Sequence, residues 1–311
     1  VKKQKSQTNR TKTNRLVFAW VALVIVGGAA ALLWLNKSEQ TGRAAYTPVA
    51  GFPDIHGLAV DPNDPQILYV GTHHGLIRGV ESDGTWSWAL VGNYRADFMG
   101  FSMHPDGKTF YASGHKVPDA PLMGVARSDD RGFSWEIIAL RGKVDFHAMA
   151  ISRANPRILY AWYYSDKRFY KSTDEGRSWS NPKAQGLSNV IALATDPTDE
   201  QVVWAATQRG LFRSPDGGES FEPVSFGGTP VITVAVDPQS PRVLYASLES
   251  GLQKSTDGGQ NWESIGDVRD TIGHLAVDPT NSHVIYAATY AAAIYKSIDG
   301  GISWRQIKQR G

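Results

Sequence analysis

The chain has 311 residues, 41% hydrophobic and 20% charged, enough apolar sequence for one large core or two small ones. Its net charge of +2 belongs to a tail: six basic residues precede position 16, the first acid is Glu39, and the remaining 26 basic residues face 30 acidic ones. That balance leaves no basic surface for nucleic acid, and the lack of cysteine removes disulfides, thiolate metal sites and a lipid-attachment cysteine.

Residues 1–15 read as a basic cytoplasmic tail carrying Lys2, Lys3, Lys5, Arg10, Lys12 and Arg15. Residues 16–35, LVFAWVALVIVGGAAALLWL, hold no charge over twenty positions, long enough as a helix to cross a bilayer. The basic N-terminal flank orients that segment with its start in the cytoplasm and everything after it outside. Ala29 to Ala31 offer small residues for signal cleavage, but Leu32 to Leu35 continue the apolar run, which favours an uncleaved transmembrane signal-anchor. Residues 36–44 form a short polar linker. The expectation is a single-pass protein of a bacterial cell membrane with its remaining chain extracellular.

From residue 45 to 311 the sequence repeats. SDDRGFSW, STDEGRSW, SPDGGESF, STDGGQNW and SIDGGISW place Asp130, Asp174, Asp216, Asp257 and Asp299 at spacings of 44, 42, 41 and 42, and a worn copy places Asp83 47 residues upstream. A second motif runs in step, HGLAVDPNDPQILYVGT at 56 returning at 191, 232 and 273. Each unit therefore reads as an apolar strand, an Asp-Pro turn, an aromatic and β-branched strand, a short loop, a strand ending in Arg-Ser or Lys-Ser, a turn, and a strand opening with Trp. Six such units of period near forty predict an all-β, six-bladed β-propeller of four-stranded blades, preceded by the membrane helix. YTPVAG at 45 matches an outer-strand segment and is expected either to complete the last blade or to lie beside it.

The recurring aspartates, including Asp83, suit scaffolding better than catalysis. A carboxylate in a tight turn accepts backbone N–H groups, Gly supplies a positive φ and Trp packs between blades, whereas hydrolysis needs one converging pair of acids. Ser-x-Asp-x-Gly-x-Ser-Trp resembles the bacterial-neuraminidase or Asp-box repeat, and the accompanying strand motif looks most similar to the branch holding xyloglucan-degrading glycosidases, sortilin and the photosystem II assembly factor. The resemblance implies a propeller whose boxes lie away from any active site. It departs from the sialidases in lacking Arg-Ile-Pro, and His73 and His74 stand where the xyloglucan-degrading relatives carry a catalytic acid.

Strand parity puts the Asp-Pro turns and the boxes on one face, and the blade-to-blade and second-to-third-strand loops on the other, where propellers usually bind ligands. His56, His73, His74, His115, His147 and His274 fall on that second face, with His104 and His283 opposite. Asp54, Asp97 and Asp145 occupy equivalent positions at the starts of the first three inner strands and are candidate catalytic acids for a glycosidic bond. A divalent metal ion is an alternative, held by imidazoles such as His56 and His147 with carboxylates. In a third reading these groups only face water in the channel. Tyr94, Tyr164 and Tyr290 offer stacking surface, Arg95, Arg141, Arg209 and Arg269 forked donors, and the long loop 114–124 lies on the same face. The leading expectation is a binding protein for a glycan or an envelope protein partner. A glycoside hydrolase and a metal-binding or assembly-factor role are the alternatives.

Overall fold

The computed structural model describes residues 46–52, 54–115 and 121–309. The basic tail, membrane span and linker expected over 1–44 lie outside these residues, as does part of the long loop, 116–120.

A short strand, β1 (Tyr46–Pro48), precedes six sheets. Blade one holds β2 (Ile55–Val60), β3 (Ile67–Thr72), β4 (Gly75–Ser82) and β5 (Thr85–Val91). Blade two holds β6 (Asp97–Met103), β7 (Phe110–His115), β8 (Leu122–Ser128) and β9 (Glu136–Ala139). Blade three holds β10 (Ala148–Ile151), β11 (Leu159–Tyr163) and β12 (Arg168–Ser172). Blade four holds β13 (Val190–Thr195), β14 (Val203–Thr207), β15 (Gly210–Ser214) and β16 (Glu222–Ser225). Blade five holds β17 (Thr233–Asp237), β18 (Ser240–Leu248), β19 (Gly251–Ser255) and β20 (Glu263–Ser264). Blade six holds β21 (Ile272–Val277), β22 (Ile285–Thr289), β23 (Ile294–Ser297) and β24 (Arg305–Lys308). Every pairing within a blade is antiparallel and joins neighbours in sequence.

The ring closes by packing. Inner strands β2, β6, β10, β13, β17 and β21 each neighbour the next, and β21 returns to β2. Six apolar clusters fill the blade-to-blade interfaces, the closing one joining Leu68 and Ile77 of blade one to Tyr286 and Ile294 of blade six. The second strand explains much of this core: Tyr69, Tyr111, Tyr160, Tyr245 and Tyr286 are fully buried at equivalent positions, with Trp204 in blade four. A basic residue of the third strand lies over several of these rings, Arg127 at 5.7 Å from Tyr111, Lys171 at 5.5 Å from Tyr160 and Lys254 at 5.4 Å from Tyr245. That contact gives a physical reason for the recurring Arg-Ser and Lys-Ser endings.

The five well-formed turns share one hydrogen-bond pattern. In the second blade, Asp130 Oδ1 accepts from Ser128 Oγ at 2.8 Å and from the Ser134 N–H at 2.9 Å, while Ser134 Oγ donates to Oδ2 at 2.6 Å. Trp135 Nε1 donates to the Gly132 carbonyl, and the indole enters the interface with the preceding blade. Asp174, Asp216, Asp257 and Asp299 repeat the arrangement. Asp83 keeps only a 3.5 Å contact to Ser82.

One expectation fails. The N-terminal strand neither completes nor flanks the last blade; β1 adds to the outer edge of blade one, pairing Tyr46 with Val91. Blade six supplies all four of its own strands, so that site was already filled. The six blades are otherwise as expected, although the outer strand of blade three shortens to a Lys171–Ser180 bridge, after which the Asn181 side chain takes the Phe169 carbonyl.

Candidate functional site

The inner strands surround a channel of about 470 Å³. Its waist is apolar, lined by Leu58, Phe101, Met149, Leu193, Val234 and Leu275. One mouth carries Asp54, His56, His147, Tyr164, His274 and Tyr290. The register explains how these side chains reach it. A β-bulge lies between Ile55 and Gly57 in β2, and others between Phe98 and Gly100, Val190 and Ala192, and Ile272 and His274. The extra residue of each, His56, Met99, Ile191 and Gly273, lines the channel, as do the equivalent His147 and Ile232. A bulge re-aims the side chain it inserts. The bulge thus sets an imidazole at blade one and apolar or absent side chains at blades two, four and six, while His147 and Ile232 reach the channel from the starts of blades three and five without one.

Behind His56 and His147 runs a chain of alternating imidazoles and carboxylates across three blades. His56 Nε2 lies 3.0 Å from His73 Nε2. Asp97 Oδ2 lies 2.6 Å from His73 Nδ1 and 3.1 Å from His115 Nε2. Asp145 Oδ2 accepts from His115 Nδ1 and from His147 Nε2, both at 3.3 Å. Asp54 Oδ2 approaches His73 Nε2 at 3.7 Å. Each neighbouring pair of the three acids is therefore separated by a single imidazole.

Burial grades the cluster. Asp97 is 3% exposed, whereas the Asp54 side chain is 54% exposed. Among the described residues, Asp97 Oδ1 and Asp145 Oδ1 are buried with no hydrogen-bond donor. A buried carboxylate oxygen without a partner costs free energy. Burial, and then the neighbouring His73, hold His56 below the ordinary histidine value. His274 is pushed down to about 4 by burial and by His56, and as a neutral ring it donates from Nε2 to the Ile55 carbonyl at 2.9 Å, across the closing interface.

Other residues singled out from the sequence have different surroundings. Tyr164, 40% exposed, stands edge-on to His147 at 6.0 Å, and Tyr290, 62% exposed, lies over Gly273. Tyr94 is half-buried, stacked on Phe98 and near Trp135, with its hydroxyl 3.5 Å from Met123 Sδ; its ring belongs to the interface of blades one and two. Arg95 donates to the Gly92 and Tyr94 carbonyls and so caps its own loop. His74, Arg141, Arg209 and Arg269 are exposed and lie outside the chain of imidazoles and acids. His104 bonds within its own turn beside Asp106, on the opposite face as parity required.

The sequence reading missed Arg153. Asp-Pro turns begin at Asp61, Asp196, Asp237 and Asp278, but blade three has Ser152 and Arg153 there, so a guanidinium replaces the proline. Arg153 lines the far end of the channel with Pro238 and Pro279, and burial lowers its pKa. The broken Asp-Pro motif was the available signal.

Fold and site together define a six-bladed β-propeller with a His/Asp-rimmed channel mouth. No family profile matches the chain. A xyloglucanase of Hypocrea jecorina is 28% identical over 195 residues, which is 61% of this chain and 22% of that protein. Among solved structures, the Niastella koreensis GH74 enzyme superposes with a TM-score of 0.62 at 16% identity, covering 84% of this chain and 46% of that one. YCF48 bound to D1 peptide superposes with a TM-score of 0.52 at 18% identity, covering 85% of each chain. These likenesses show the fold. The chain spans under half the length of the xyloglucanase and the GH74 enzyme.

Proposed function

We propose that the protein is a membrane-anchored extracytoplasmic binding module that takes a glycan or a segment of an envelope protein at the His/Asp mouth of its channel. One observation carries this reading. Asp97 and Asp145 are each engaged by two imidazoles, and Asp97 is almost wholly buried, so neither stands free to protonate a leaving group or activate water. The exposed rings of Tyr164 and Tyr290 beside the mouth supply apolar faces with polar edges, which suit sugar rings and peptide alike. A propeller of similar extent, YCF48, has been solved with a peptide bound, which supports recognition without chemistry.

Glycan arrays and envelope pull-downs test the reading. Binding that weakens at least about tenfold in Tyr164→Ala, without release of product, is the expected result, an aromatic hot-spot loss of the usual size. A second reading, a glycoside hydrolase, is favoured by the sequence likeness to a xyloglucanase. Release of reducing ends from xyloglucan, abolished by Asp145→Asn or Asp54→Asn, would establish it and displace the first.

A further inference from the structure

We propose that the mouth holds one divalent transition-metal ion on His56 and His73, with Asp97 fixing the His73 ring and Asp54 offering an oxygen ligand from the solvent side. A nitrogen of each imidazole and an oxygen of Asp97 lie within 4.8 Å of one another. The two Nε2 atoms are 3.0 Å apart. Ligands at the 2.0–2.1 Å of a zinc–nitrogen bond stand about 3.3 Å apart in a tetrahedron, so the rings need to open only slightly to admit an ion.

The contact with Asp97 favours at His73 the tautomer a metal requires, and the ion would displace the single proton that the two Nε2 atoms share at 3.0 Å. His73 Nδ1 lies 2.6 Å from Asp97 Oδ2, a contact that favours a proton on Nδ1 and so a lone pair on Nε2, the nitrogen that faces His56. This carboxylate–imidazole pairing orients metal-bound histidines and raises their basicity. Asp54 Oδ2, 3.7 Å from the same Nε2 and outside the tight cluster, would swing inward to complete a set of two nitrogens and one oxygen. The bulge that carries His56 into the channel supplies one ligand, and the tight turn between β3 and β4 supplies the other. A cation here also offsets the donor-less Asp97 Oδ1. Two imidazoles and a carboxylate suit Zn²⁺ or Cu²⁺, whereas Ca²⁺ and Mg²⁺ take oxygen ligands.

The inference is independent of what the mouth recognises, because its test uses the metal alone. The full chain, stripped with chelator and dialysed, is titrated with ZnCl₂ and CuSO₄ by calorimetry and read by elemental analysis. One equivalent is expected, with affinity falling at least about tenfold in His73→Gln and in His56→Gln, and by about 10- to 100-fold in Asp97→Asn, the usual range for an outer-shell partner. The exposed Asp54→Asn, which removes no core contact, is expected to weaken binding several-fold. His283→Gln on the opposite face should leave it unchanged. If the histidine variants do not fold, X-ray absorption of the metal-loaded wild-type protein counts the imidazoles directly, two being expected. Absence of binding, or stoichiometric binding that survives loss of both His56 and His73, overturns the proposal, as does an absorption spectrum without imidazole ligands.

Discussion

His73 and Asp97 belong to different blades, yet Nδ1 of one lies 2.6 Å from Oδ2 of the other in a site where the acid is almost wholly buried. The mouth is therefore a structural tie as well as a candidate binding site. Removing the acid leaves His73 and His115 without their shared acceptor. Asp97→Ala is expected to destabilise the fold by about 1 kcal/mol, the loss of the buried acid's contacts with two imidazoles that are part-exposed to water. Urea denaturation followed by tryptophan fluorescence measures this. A change below about 0.5 kcal/mol would mean that water replaces the carboxylate without loss.

Lys308 closes the ring in a different way. Its ammonium donates to the carbonyls of Phe52 at 3.1 Å, Ala292 at 2.7 Å and Gln309 at 2.9 Å, and lies 4.2 Å from the centre of the Phe52 ring. The first of these contacts joins the last strand to the segment before blade one, which β1 does not do. Lys308→Met keeps the length of the side chain and removes its donors, so a loss of about 1–3 kcal/mol is expected in equilibrium unfolding. Arg305→Ala, which removes an exposed ion pair with Glu81, is expected to cost under about 1 kcal/mol.

The turn aspartates predict an acid limb of stability. The backbone N–H and then the side chain of Asn261 hold Asp257 down to about 2, and the hydroxyl and then the N–H of Ser303 do the same for Asp299. For a carboxylate whose folded pKa is depressed, the stabilisation is present above its unfolded value, about 3.9, and is lost as pH falls through the folded value. The melting temperature should therefore drop between about pH 4 and pH 2. Asp299→Asn should lower the melting temperature at pH 7 and flatten the slope on that limb; an unchanged slope would assign acid unfolding to other groups.

The repeats were legible because the forces behind them are local. A Ser, an Asp and a Gly within five residues satisfy one another, so the motif records its own hydrogen bonds wherever it stands, and a tyrosine one strand earlier records the core. Parity then set His73, His115 and His147 on one face. What parity could not supply was which of them touch. The contacts of Asp97 with His73 and of Asp145 with His115 cross blade boundaries, and depend on ring curvature and on bulges that local pattern leaves open. The packing of Tyr94 and the pairing of β1 were not legible for the same reason. An aromatic residue in a loop and a strand-like segment at one end of the chain carry no mark of the partner they will meet.

Gly114 tests whether the cluster depends on backbone approach. It sits in β7 at φ +154, and a Cβ there would lie 1.8 Å from the carbonyl oxygen of Asp97, where no rotation of a side chain can relieve the clash. Gly142, at φ +71, has nothing within 4 Å of its would-be Cβ, so alanine there meets only the strain of the left-handed region, about 1–2 kcal/mol. Gly114→Ala must in addition push β7 away from β6 and carry His115 off Asp97. It is expected to cost clearly more than Gly142→Ala in urea denaturation and, unlike it, to shift the imidazole proton resonances of His73 and His115. Equal costs, or an unperturbed histidine spectrum, would show that the mouth is held by its side chains and not by the close approach of these two strands.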